Sequence, residues 1–360
     1  MKGELFLTGA TGYIGASLLQ KWLASTDARL NLLVRSRRGV KPLERISKVL
    51  RELYPDTETN CFSSRIELIE GDLSHDRFGL KEPEYRDLAA RTMHIIHCAA
   101  AARFDLEIED ARKVNVGGAQ NILDFARVCP GLKKVDYIGT AYVAGRRKGI
   151  IKEDELDEKQ EHNNTYERSK LEAEKLVREN MDALPLTILR PSIVICDSRT
   201  GRASSFNGFY RALRLYWLGL LKILPGHTSG RVDLVPVDYV TDAIYAISTN
   251  GKSAGNCYHV TAGSGNTTSL EQIRDLASRH FRKEPFAIIP PEEFMAYISK
   301  AADRLSEEER EMIEEVKLYM PYLTGGLLFD DSNTRRDAGL EVPRVSDYFG
   351  KMANYIMEHE

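Results

Sequence analysis

The stretch that most constrains this chain is Thr8-Gly9-Ala10-Thr11-Gly12-Tyr13-Ile14-Gly15, close to its beginning. The apolar run Leu5-Phe6-Leu7 before it reads as a buried strand. Ile14, Leu18, Leu19, Trp22 and Leu23 after it recur at helical spacing. Glycines placed between a strand and a helix are the context in which a backbone cradles a phosphate. Gly9 permits the tight turn, Gly12 lets the backbone approach a pyrophosphate, and Gly15 lets the helix pack close to the sheet. The helix N-terminus favours the anion. The spacing is G-x-x-G-x-x-G rather than G-x-G-x-x-G, so the turn alone points to a dinucleotide and needs a catalytic constellation downstream to become specific.

A chain of 360 residues can bury one large domain, or one domain with a smaller lobe. With 42% hydrophobic and 29% charged residues the composition is that of an ordinary globular protein. A formal net charge of −3 offers no basic footprint, which argues against nucleic acid as a partner. Cys61, Cys98, Cys129, Cys196 and Cys257 are scattered and lack C-x-x-C spacing, which fits a reducing compartment and no structural metal. The first strand begins almost at Met1, leaving no room for a signal peptide, and no apolar run reaches transmembrane length. The expectation is a cytoplasmic protein.

Strands and helices alternate through the first half. A second buried strand, Arg29 to Val34, ends in Arg35-Ser36-Arg37-Arg38. A dinucleotide fold places the adenosine ribose at this strand end, where an acidic residue would bond the hydroxyls of NAD. Only cations stand here. Guanidinium groups match a 2′-phosphate, so NADP is expected, with Arg35 as the contact and Arg37 and Arg38 solvating the loop. An amphipathic helix follows from about Pro42 to Tyr54, then a strand at Ile66–Ile69 leading to Gly71-Asp72-Leu73. Asp72, at a strand end, can accept a hydrogen bond from the adenine amino group. The strand Met93–His97 runs into Cys98-Ala99-Ala100, small residues that admit a cofactor ribose. His94 and His97 alternate with apolar residues and read as satisfied structural histidines.

A long helix over roughly Leu106 to Val128 carries Asn115. The next strand, Lys133 to Gly139, delivers Thr140. Lys152 to Glu161 reads as an acidic solvated rim. The helix opened by Tyr166-Glu167-Arg168-Ser169-Lys170 and the strand Leu186–Leu189, ending at Arg190-Pro191-Ser192, complete the alternation. The pattern predicts an α/β fold with a doubly wound parallel sheet. Residues 1–200 are assigned to the dinucleotide-binding domain, with added segments around 232–262. Residues 201–360 are assigned mainly to a smaller C-terminal substrate-binding lobe.

Tyr166 and Lys170 lie four apart and project from one helical face. An ammonium beside a phenol lowers its pKa, which would make Tyr166 an acid usable near neutrality. Thr140 reaches the same pocket from a strand end, and Asn115 is expected to bind a water or a backbone carbonyl beside Lys170. The order matters more than any one member: glycine turn, Asn, Thr at a strand end, then Tyr and Lys.

With these residues in place the chain resembles an extended short-chain dehydrogenase/reductase over essentially its whole length. Within that superfamily it is most similar to thioester reductases and fatty acyl-CoA reductases, the terminal reductase domain type. The narrower resemblance rests on Leu33-Val34-Arg35 followed by an inserted helix, on Thr140-Ala141-Tyr142-Val143, on Asp197-Ser198-Arg199-Thr200-Gly201 and on Val235-Pro236-Val237-Asp238-Tyr239-Val240. It implies a Rossmann-type fold binding NADPH through Gly9, Thr11, Gly12, Tyr13, Ile14, Gly15, Arg35, Asp72, Leu73, Ala99, Ala100 and Lys170, with Pro191 and Ser192 near the nicotinamide. It also implies catalysis by Thr140, Tyr166 and Lys170 with Asn115 in support. The substrate implied is an acyl thioester presented by CoA or a phosphopantetheine carrier protein. Helices flanking Asn115 and Lys170 often pair in this superfamily, which makes a homodimer an expectation. The chain departs from the resemblance at Gly139, where related sequences often carry Ser.

The implied reaction is hydride transfer to the thioester carbonyl, with collapse to an aldehyde and thiol and an optional second reduction to the alcohol. No cysteine is needed. The alternatives are a sugar-nucleotide epimerase or dehydratase, a hydroxysteroid-type dehydrogenase, and an NADP-binding regulator without turnover. The cations after the second strand, the apolar segment 206–224 and the presence of both Tyr166 and Lys170 lean away from them. Phe206, Phe209, Tyr210, Leu213, Tyr216, Trp217, Leu220 and Leu224 are read as either a core helix or the lining of an acyl channel. On the channel reading Arg202, Arg211, Arg214 and Lys222 meet the phosphates of CoA or a phosphopantetheine arm; on the core-helix reading they are snorkelling cations.

Overall fold

A computed structural model describes residues 4–203, 208–301, 306–324 and 326–359. Seven parallel strands form the central sheet: β1 (Glu4–Thr8), β2 (Arg29–Val34), β3 (Ile66–Glu70), β4 (Thr92–His97), β5 (Lys134–Ile138), β6 (Leu186–Pro191) and β7 (Cys257–Val260). Their spatial order is β3-β2-β1-β4-β5-β6-β7. The order reverses between β1 and β4, and Thr8 stands level with Leu33 of β2 and His97 of β4. Their carboxyl ends therefore open onto one crevice at the switch point, where open α/β sheets bind ligands.

Alternation along the strands explains why the sheet is covered on both faces. Leu5 and Leu7 of β1, with Leu30, Leu32 and Val34 of β2, pack on α1 (Tyr13–Ser25) and α7 (Val237–Thr249). Phe6 and Leu33 point the other way, towards α3 (Glu82–Arg91), α4 (Ile108–Val128) and α5 (Thr165–Arg178). Both faces are apolar because parallel crossovers place helices on each. Of these helices, α3 is the one that no apolar stripe announces. Only Tyr85, Leu88 and Ala89 are buried on it.

The smaller lobe has a separate core. Tyr210 and Leu213 of α6 (Phe209–Trp217) meet Ile273 and Phe281 of α8 (Leu270–Phe281) and Tyr348, Phe349 and Met352 of α12 (Val345–Glu358). The apolar segment 206–224 is thus not one helix. It is helical only over Phe209–Trp217, turns at Gly219 with φ +79, and continues as a short strand at Ile223–Pro225; Phe206 lies outside the described residues. A positive φ disfavours any side chain, so glycine stops the helix there. Two more helices follow, α9 (Pro291–Ala301) and α10 (Glu307–Leu323), and the second packs Tyr319 and Tyr322 with Tyr142 and Phe329.

The two late stretches that carry the narrower resemblance touch each other. Asp238, in the first turn of α7, accepts the Ser198 N–H at 2.8 Å and its hydroxyl at 2.6 Å. The acidic loop after residue 151 is not wholly a rim. Glu153 is buried, accepts the N–H groups of His259 and Asn333, and burial raises its carboxyl to about 7. A short strand pairing, Gly149–Ile151 with Leu327–Phe329, draws this loop against the C-terminal half and so buries a glutamate that looks solvent-facing in sequence.

Candidate active site

The glycine turn is built as a cradle. Gly9 has φ +80, and a Cβ on it would stand 2.7 Å from the Ala99 nitrogen. A Cβ on Gly15 would lie 2.0 Å from the Gly9 carbonyl oxygen. The backbone is therefore closed to side chains at both places. Gly12 caps α1 without any side-chain hydrogen bond, and no acidic residue sits in the first turn. Helix-start N–H groups without a protein cap suit a pyrophosphate. These residues fit a dinucleotide. Thr8 accepts the Ala99 N–H at 3.2 Å and shares a hydrogen bond of 2.9 Å with His97 Nδ1, which fixes the Cys98–Ala100 segment beside the turn. Burial holds His97 down to about 3, with Lys170 adding to the effect, so its imidazole is neutral. His94 is only half satisfied: Nε2 meets Asp136 at 2.5 Å, while Nδ1 is buried with no hydrogen-bond partner among the described residues.

The remaining turn residues are anchored in different ways. The Tyr13 phenol donates to the Ile195 carbonyl oxygen at 2.7 Å, and Ile14 packs on the α1 face of the sheet. The Thr11 hydroxyl accepts from Arg45 Nη2 at 2.7 Å, while Arg45 Nη1 donates to the Arg35 carbonyl oxygen at 2.6 Å. Arg45, on α2 (Pro42–Leu53), thus joins Arg35 and Arg37 at the end of β2. Burial, then Arg37 and Arg35, lower its pKa. Neither Arg37 nor Arg45 has a carboxylate partner among the described residues, while Arg35 pairs with Asp72 at 3.0 Å. Sequence reading passes over Arg45 because it looks like the polar face of an amphipathic helix.

Asp72 is more committed than its strand-end position suggests. One oxygen accepts from the Ser74 N–H and hydroxyl, and the other from Arg35. Leu73 is a core residue: its side chain packs in the α4 face and its carbonyl oxygen accepts from Asn121 at 2.8 Å. Pro191 is buried at the end of β6, and Ser192 donates to Asp233 at 2.5 Å.

Thr140, just beyond β5, lies close to the phenol of Tyr166, near the start of α5. Burial pushes the Tyr166 phenol up to about 12, with the neighbouring Thr140 hydroxyl pulling the other way. This corrects the expectation of an acid tuned by Lys170 towards neutrality. The Lys170 ammonium turns instead to β5. It donates to the Ile138 carbonyl oxygen at 2.9 Å and lies 4.4 Å from the centroid of the Tyr137 ring. Burial lowers Lys170 to about 8, despite Glu174 nearby. Asn115 binds a backbone carbonyl, that of Ala101, at 3.2 Å; its oxygen takes the Ala101 N–H at 2.8 Å, and its nitrogen donates to Ser169 Oγ at 2.9 Å. It clamps the 98–102 segment to α5 and does not touch Lys170.

Thr140 and Tyr166 line a cavity of about 270 Å³ whose walls are chiefly apolar, including Phe104, Ile193, Phe209, Leu213 and Leu323. Of the cations expected to meet phosphates, Arg211 lines this cavity but is paired with Glu315. Arg202 donates to the Glu52 carbonyl oxygen at 2.6 Å. Tyr322 of α10, which sequence reading does not single out, closes the cavity. It donates to buried Glu167 at 2.5 Å, accepts from Asn164 at 2.7 Å and stacks on Phe104. Gly139 packs beside the Glu174–Arg190 pair, where a Cβ would stand 3.3 Å from Glu174 Oε2.

A dinucleotide cradle at the switch point of a doubly wound sheet, with Thr140, Tyr166 and Lys170 nearby, has the architecture of the extended short-chain dehydrogenase/reductase type. The chain belongs to the NAD-binding family described as Male sterility protein, which matches residues 7–244. Fatty acyl-CoA reductase 1 of Rattus norvegicus is 27% identical over 319 residues, covering 78% of this chain and 62% of that protein. The chain therefore spans less than two thirds of that relative. The terminal R domain from the myxalamid PKS-NRPS biosynthetic pathway is similar in structure, with a TM-score of 0.86 and 28% identity, covering 99% of this chain and 91% of that one. UDP-glucuronic acid 4-epimerase from Bacillus cereus shares the fold, with a TM-score of 0.70 at 17% identity over 99% of this chain and 97% of that one. No helix among the described residues is long and apolar enough to cross a membrane.

Proposed function

We propose that this protein is an NADPH-dependent reductase of acyl thioesters. The observation that carries the reading is that Thr140 and Tyr166 together line the wall of a mainly apolar cavity. The activities named for its relatives, a fatty acyl-CoA reductase and a terminal reductase domain, point the same way. Bound NADPH would supply a hydride to the thioester carbonyl carbon. Thr140 and Tyr166 hold the carbonyl oxygen as its charge develops, and Tyr166, protonated through the physiological range, gives it a proton. Loss of the thiol then leaves the aldehyde. Lys170 holds the nicotinamide ribose, and Asn115 acts as a positioning residue by fixing the loop beside it. Gly9, Gly12 and Gly15 admit the pyrophosphate.

The choice of NADPH over NADH rests on Arg35, Arg37 and Arg45, two of which lack a carboxylate partner among the described residues. Arg45→Ala is expected to weaken NADP binding by roughly tenfold or more, the loss of a charge-assisted contact, while leaving NAD affinity unchanged. Calorimetric titration with both cofactors measures this. Equal losses for the two would remove the 2′-phosphate assignment.

Lys170 also sets an expectation for pH. Its folded-state pKa near 8 lies below the ordinary lysine value, so the ammonium is present below that pH and lost above it. Affinity for the cofactor's ribose should fall as pH rises through about 8, read as a pH profile of kcat/KM that Lys170→Arg shifts to higher pH. The function itself is tested by NADPH oxidation against a panel of acyl thioesters with aldehyde and alcohol quantified. A protein that purifies with NAD and turns over no thioester would instead fit a sugar-nucleotide epimerase.

A further inference from the structure

A second cavity, of about 240 Å³, lies on the far side of the wall formed by Tyr142 and Tyr322, which line both cavities. The two rings meet edge to face with centroids 4.9 Å apart. Where the first cavity is apolar, the second is ringed by four cations: Arg146, Arg147 and Lys148 from the loop after Tyr142, and Arg231. One carboxylate, Asp233, faces them, and its Oδ1 is already engaged by Ser192 and the Ala262 N–H. Arg147 Nη2 is held by Glu155 at 2.6 Å, yet its Nη1 is buried and has no hydrogen-bond partner among the described residues. Lys148 and Arg231 have no carboxylate partner among those residues, and both are exposed. Arg146 is the neutralised member, paired with Glu161.

A buried guanidinium N–H without an acceptor is costly to leave unmade, and an excess of cations around a cavity favours an anion with several acceptor oxygens. We infer that this basic annex binds the phosphate of a 4′-phosphopantetheine arm. The inference rests on the thioester reading. With the carbonyl at Thr140 and Tyr166 and the acyl chain in the apolar cavity, the leaving-group arm runs across the Tyr142–Tyr322 wall into the annex. Arg147, Lys148 and Arg231 replace Arg202, Arg211, Arg214 and Lys222 as the phosphate contacts. CoA and a carrier protein both present this phosphate, so the annex reads what they share.

The test compares two substrates that differ by that one group, an acyl-pantetheine and the same acyl-4′-phosphopantetheine. Lys148→Glu and Arg231→Ala alter exposed side chains and leave the core intact. Each is expected to raise KM for the phosphorylated substrate by roughly tenfold or more, with kcat unchanged, and to leave both constants for acyl-pantetheine unchanged. The same rise with acyl-CoA, with an acyl-carrier protein or with both supports the site and tells which donor presents the phosphate. Equal KM changes for the two pantetheine substrates, or no change for either, overturn the annex while the reductase stands. If the unaltered protein reduces neither substrate, the thioester reading falls and the annex falls with it.

Discussion

Tyr166→Phe is expected to lower kcat for thioester reduction by roughly 10²- to 10³-fold, the range found when one donor to a developing oxyanion is removed. The phenol is the proton source in the proposed reaction, and the substitution deletes only its oxygen. The ring lies 5.8 Å from that of Phe104, a contact that phenylalanine keeps. Cofactor affinity should stay unchanged, since the ribose contact is assigned to Lys170 and the pyrophosphate to the turn. Single-turnover NADPH oxidation, with NADP affinity measured alongside, separates the two effects. Retained turnover would show that Thr140 alone supports the oxyanion. A parallel loss of turnover and cofactor binding would mean that the variant disturbs α5 rather than the chemistry.

The second large effect concerns stability. Arg190 of β6 and Glu174 of α5 are both fully buried. The guanidinium donates to Glu174 at 2.9 and 2.6 Å and to the Glu155 carbonyl oxygen at 2.8 Å, while Nη1 lies 3.1 Å from His259 Nε2. Glu174 follows Lys170 by one helical turn, so the pair pins α5 to the sheet. Arg190→Met leaves a buried carboxylate with only Arg178 to meet it. Breaking such a pair costs about 3–5 kcal/mol, whereas replacing both members with apolar groups is often close to neutral. Arg190→Met should therefore show a large fall in Tm, and Arg190→Met with Glu174→Leu should recover most of it. A single variant as stable as the parent would mean that the pair contributes nothing.

Much of this protein is legible along the chain because the relevant physics is local. The Thr8–Gly15 turn needs only a strand before it and a helix after it. Tyr166 and Lys170 share a face because they are four apart on one helix, and Thr140 follows from the end of an apolar strand. The periodicity of Leu5 to Leu7 and of Arg29 to Val34 is enough to place buried strands in a parallel sheet.

What the sequence does not show depends on contacts between residues far apart. Arg45 sits on an ordinary amphipathic helix and becomes part of the cofactor end only when α2 folds back over Thr11. Tyr322 is one aromatic in a charged helical segment until it meets Glu167 beside Tyr166. The direction of the Tyr166 shift also depends on the tertiary structure. Adjacency to Lys170 in sequence suggests a lowered pKa, but burial dominates and the ammonium is drawn to the Ile138 carbonyl oxygen.

The sequence by itself determined the fold class, the glycine turn between strand and helix and the placement of Thr140, Tyr166 and Lys170 on their elements, because each follows from spacing within one element or one turn. Only the tertiary structure decided which cations stand together, which carboxylates are buried and which hydroxyls face the cavity. Charge and burial depend on what lies within a few ångströms in space, and here those neighbours come from residues more than 180 positions away.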